Sequence, residues 1–73
     1  MNKQRRKEIE NLHDELQYLH AKLSGINDEE EEYQANIPEH MVRRIEQSEN
    51  AICSMLEALE CIAGALNYLE EIE

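Results

Sequence analysis

Residues 33–41 read Tyr33-Gln34-Ala35-Asn36-Ile37-Pro38-Glu39-His40-Met41, and the rest of the chain is organised about the proline near their centre. Pro38 is the only proline in the sequence. It biases Ile37 away from helical backbone angles, and it suits the first turn of a new helix. Asn36 or Ile37 is then expected to cap that helix, with Glu39 favourably placed near its positive end.

Going outward toward the N-terminus, Ile9, Leu12, Leu16, Leu19, Leu23 and Ile26 recur at alternating steps of three and four, with polar residues filling most positions between them. That spacing is an a/d heptad seam, with Ile9 at a and Leu12 at d. The same phase continues through Glu30 (a), Tyr33 (d) and Ile37 (a). Gly25 costs a helix about 1 kcal/mol relative to alanine, and Asn27 followed by Glu30 can cap a fresh start. One helix over about residues 3–34 is expected, bent if anywhere near Ser24-Gly25; a clean break there is the rival reading. On the other side of the turn, Ile45, Ile52, Leu59 and Leu66 fall at a, and Met41, Ser48, Met55, Ile62 and Leu69 at d. A second helix over about residues 38–72 follows, which leaves a turn over about 35–38.

Two helices of similar length joined by a short turn fold back as an antiparallel, coiled-coil-like hairpin. The chain is therefore expected to be all-α, with residues 1–73 forming one domain. Composition agrees, because Phe 0, Trp 0, Gly 2 and Pro 1 leave little material for strands and their turns. Charge sets the direction. A short turn places the basic residues Lys3, Arg5, Arg6 and Lys7 beside residues 66–70 and the acids at Glu70, Glu71 and Glu73. The same register places the acidic run 28–32 beside Arg43 and Arg44. Exposed pairs contribute only ~0–1 kcal/mol each, so they orient the hairpin more than they hold it.

The second helix is apolar over more than one stripe. Leu56 and Ala63 lie at e, and Ala51, Ala58, Ala65 and Ile72 at g. A single hairpin leaves these flanks wet, whereas bundles of four or more helices cover them. A homo-oligomer is expected, a two-fold dimer by default or a tetramer, with Ile52, Met55, Leu56, Leu59, Ile62, Ala63, Leu66 and Leu69 as its interface.

Residues 8–73 carry 17 acids against 3 bases, which disfavours duplex nucleic acid and anionic membrane as partners. No apolar run approaches a membrane span, so a cytoplasmic protein is expected. Cys53 and Cys61, eight residues apart on one helix, are too distant to bridge and are expected to be reduced. Glu10 and His13 have the spacing of a carboxylate-bundle metal motif but fall off the seam, and His13 and His20 are expected near Glu60 and Cys53 as solvated flanking residues, not as metal ligands. No phosphate-gripping glycine loop, nucleophile elbow or paired catalytic carboxylates are present, so neither catalysis nor a cofactor or metal is expected. The turn is the chemically mixed region. Tyr33, Asn36, His40, Arg43 and Arg44 combine an aromatic face with two adjacent guanidinium groups that suit phosphate.

The pieces Met1-Asn2-Lys3-Gln4-Arg5-Arg6-Lys7, the acidic stretch 29–32, the turn 33–39 and the repetitive helix 51–71 together resemble a type of small phage and prophage protein. The resemblance implies an accessory gene product acting in a bacterial host against a defence system. With the turn residues, it leads to the expectation of a non-catalytic oligomer that sequesters a small anionic, nucleotide-type immune signal. The alternatives are an acidic inhibitor or nucleic-acid mimic that occludes a basic host protein, and a structural coiled-coil adaptor.

Overall fold

The computed structural model describes all residues, Met1 to Glu73, and consists of two helices. Helix α1 spans Lys3–Ala35 and helix α2 spans Val42–Glu70. They pack antiparallel into a rod of 59 × 14 × 11 Å. Asn2 caps α1, its Oδ1 accepting the Arg5 backbone N–H at 2.8 Å. Helix α1 then runs unbroken through Gly25, so the rival break does not occur.

The turn is longer than expected, and three sequence expectations are corrected by it. Asn36 ends α1 instead of starting α2: its backbone N–H bonds to the Tyr33 carbonyl at 3.1 Å and its side-chain amide to the Glu32 carbonyl at 3.0 Å. Pro38 opens a single turn closed by the Met41 N–H on the Pro38 carbonyl at 3.0 Å. Met41, at φ −90° and ψ 60°, is not helical, so α2 starts at Val42 and not near 38. It ends at Glu70, short of the expected 72.

Moving the centre of the turn toward the C-terminus slides the register. His13 Nε2 meets Glu70 Oε1 at 3.1 Å, Gln34 Nε2 donates to Glu49 Oε1 at 3.4 Å, and Ser48 Oγ donates to Glu30 Oε2 at 2.6 Å. The basic head therefore overhangs the end of α2 instead of lying beside 66–70. Arg6 alone among the head's four bases shares the hollow at that end with Glu70 and Glu73. Arg43 and Arg44 form no ion pair with the acidic run; the chain's only Lys or Arg ion pair is the exposed one between Lys7 and Glu10 at 3.7 Å.

Helix α2 presents the expected a/d residues to α1. Met41, Ile45, Ile52, Met55, Leu59, Ile62, Leu66 and Leu69 are half-buried and Ser48 is buried. Helix α1 does not present its expected face. Its inward residues are Ile9, Leu16, Leu23 and Glu30 at a, together with His13, His20, Asn27 and Gln34 at e, and Ile37 in the turn continues the a stripe. Leu12, Leu19, Ile26 and Tyr33, the whole d stripe, are 51–56% exposed. At ~100° per residue, an a/e seam is turned by about 50° from an a/d seam. The turn aligns polar groups of α1 with those of α2, as the three interhelical bonds show, and it leaves the larger apolar side chains uncovered. Only Asn27 and Ser48 are buried, each 4% exposed, and no apolar residue is.

One further expectation is revised. Helix α2 contains an 18-residue window of mean hydropathy 1.3, which satisfies the length and composition of a membrane-crossing helix.

Candidate functional site

The five turn residues do not converge. Tyr33 lies in the last turn of α1 and Arg44 near the start of α2, and the hairpin brings them to one shallow hollow of about 380 Å³. Its other walls are Glu30, Gln47 and Ser48. Asn36 is occupied in capping α1. His40 is exposed on the turn, and Arg43, one residue from Arg44 and so ~100° around the helix, faces elsewhere. Neither arginine has an acidic partner within ion-pair distance, in a chain of 17 acids. The hollow thus offers a phenol ring, an unpaired guanidinium, an amide and a carboxylate. Glu30 is held there by its bond to Ser48, and it opposes an anion that Arg44 would attract.

A second hollow, of about 460 Å³, lies at the open end of the rod. Arg6, Ile9, Glu10, His13, Asp14, Leu69, Glu70, Ile72 and Glu73 line it, so four carboxylates outnumber one guanidinium. His13 spans its floor, 3.1 Å from Glu70 and 3.7 Å from Asp14. The register sets His13 against Glu70 and not Glu60, and His20 makes no side-chain hydrogen bond or ion pair. Cys53 and Cys61 are free and exposed. No three His, Cys, Asp or Glu side chains come together in a metal-binding arrangement.

Of the residues expected at an oligomer interface, Ile52, Met55, Leu59, Ile62, Leu66 and Leu69 are half-buried along the hairpin's own seam. Leu56 and Ala63 remain outside, Leu56 at 48% exposure. The residues missed from the sequence are the polar seam members His13, His20, Asn27 and Gln34. A signal for them exists: beyond Arg6 they recur at sevens to the end of α1, and that stretch of the stripe, unlike the other polar stripes, carries no Asp, Glu, Lys or Arg.

Comparison of the chain with protein-family models, with curated proteins and with solved structures gives no match.

Proposed function

We propose that this protein is a non-catalytic helical binding protein that self-associates into a bundle and takes a small anionic ligand of the nucleotide class at its turn. The observation that carries the ligand class is the meeting of Tyr33 and Arg44, from different helices, at one hollow, with Arg44 unpaired among so many acids. An aromatic face beside a guanidinium suits a base and a phosphate together. Shallow, open hollows and no convergent acid, base or nucleophile support binding over catalysis. The resemblance to small phage proteins supports a role in antagonising a bacterial host's defence by sequestering such a signal.

A panel of cyclic dinucleotides and ADP-ribose-type nucleotides tests this by thermal shift. At least one member is expected to raise the melting temperature, and Arg44→Ala is expected to abolish the rise. Glu30→Gln, which removes the opposing charge from the hollow, should strengthen it. No shift across the panel, or a shift indifferent to both substitutions, overturns the ligand class.

A second reading is favoured by the hollow at the open end. Glu10, Asp14, Glu70 and Glu73 there suit a basic side chain, and so an acidic inhibitor that occludes a basic host protein. Such binding weakens steeply with salt, whose Debye length is about 8 Å at physiological strength. A partner captured from bacterial lysate at low salt and released near 0.5 M salt, as expected of ~3–5 Å screening, distinguishes it from the first.

A further inference from the structure

The uncovered stripe of α1 has a counterpart on α2. Leu12, Leu19, Ile26 and Tyr33 recur at sevens on α1, and Arg44, Ala51, Ala58 and Ala65 recur at sevens on α2. Residues seven apart lie on one side of a helix. Tyr33 and Arg44 line the same hollow, which fixes both stripes on the same side of the hairpin. The opposite side carries the bond from Gln34 to Glu49 and the acidic hollow, and its two large exposed apolar residues, Val42 and Leu56, are separated by Glu49. Away from the hollow at the turn, one broad side of the rod therefore carries an apolar stripe on each helix, with large residues on α1 beside small ones on α2.

We infer that this side is covered by a second copy of the chain, in a two-fold four-helix bundle whose two-fold axis runs along the rod, so that α1 of each copy lies over α2 of the other. The inference rests on the self-association proposed above and names its surface. Area argues for a second copy. A folded monomer of 8.6 kDa exposes about 4,700 Å², whereas the hairpin exposes 5911 Å². The surplus of roughly 1,200 Å² exceeds the ~800 Å² that each partner buries in a stable complex. Shape argues for the pairing. Leu12, Leu19 and Ile26 of one copy fit over Ala51, Ala58 and Ala65 of the other, large against small, as dense cores require. Laying α1 over α1 would set large on large and alanine on alanine. Charge agrees, because the acids Glu8, Glu15 and Glu29 bordering the α1 stripe then meet Ser54, Cys61 and Tyr68 bordering the α2 stripe, and not each other.

The test is light scattering on the wild type and three variants, with circular dichroism to follow helix content. The wild type should run at no less than twice 8.6 kDa. Leu19→Glu with Ile26→Glu, and separately Ala58→Glu, should weaken association by at least about 100-fold. Leu56→Glu, on the other side, should leave it unchanged. If the face variants unfold, radical footprinting of the wild type answers instead: Leu19 and Ile26 should be protected and Leu56 labelled. An assembled protein that loses association with Leu56→Glu, or that labels Leu19 and Ile26 freely, overturns this face and spares self-association. A wild type that is monomeric at 100 µM overturns both, and its capture by phosphatidylglycerol vesicles would then give the face to a membrane.

Discussion

Gly25 and Asn27 sit within one turn of each other in the middle of α1, and each carries a cost of its own. A Cβ built on Gly25 meets no atom within 4 Å, and its φ is in the ordinary helical range. Nothing in the hairpin requires glycine there. Gly25→Ala should raise stability by roughly 0.5–1 kcal/mol, read as a melting temperature several degrees higher; a fall would show a close neighbour in the assembly. Asn27 is buried at 4% exposure with its Oδ1 unbonded, while its amide reaches Glu31 at 3.3 Å. A buried acceptor without a partner costs ~1–3 kcal/mol, so Asn27→Leu should raise the midpoint of urea unfolding. A polar residue in a seam characteristically fixes register at the expense of stability. The same variant is therefore expected to broaden its amide NMR spectrum as alternative registers become populated, and an unchanged spectrum would remove that role.

At the scale of the elements, the two helices differ in how openly their sequences declare their faces. Helix α2 has Ile52, Met55, Leu59, Ile62, Leu66 and Leu69 in its seam, all apolar, and they face α1 as their spacing implies. Beyond its basic head, helix α1 carries three stripes instead of two: apolar at a as far as Glu30, apolar at d, and amide or imidazole at e. Hydrophobicity alone selects a with d. The hairpin selects a with e, because His13, Glu30 and Gln34 find hydrogen-bond partners across the seam at Glu70, Ser48 and Glu49. Nothing local in the sequence discloses those cross-helix partners. The turn was half legible for a similar reason: Pro38 marks the interruption, but the separate turn from Pro38 to Met41 delays α2 by four residues, and that delay displaces every cross-helix pair. Of the candidate site, only the meeting of Tyr33 with Arg44 emerges. Asn36 belongs to the helix end. Asn36→Ala should cost about 1 kcal/mol through loss of its bond to Glu32, seen as a lower melting temperature. The nucleotide-dependent shift proposed above should be unaffected, and its disappearance would return Asn36 to the binding site.

For the molecule as a whole, the decisive feature is a 59 Å rod without a single buried apolar residue. A core this small seldom yields more than ~3–5 kcal/mol even when it is closed, and here the seam is half open and partly polar. Stability must then depend on what covers the stripe of Leu12, Leu19, Ile26 and Tyr33. Covering it with another copy makes folding and association one process, so the melting temperature should rise with protein concentration. The hollow at Tyr33 and Arg44 lies at one end of that same side, so assembly would bring a neighbouring copy to its rim. The most direct measurement is sedimentation equilibrium of the wild-type chain diluted from 100 µM to 1 µM, with helix content followed in parallel. A mass of at least two chains at the upper end, with helix lost as the mass falls toward 8.6 kDa, is the predicted result. A single chain at every concentration, fully helical and melting at one fixed temperature, would contradict it.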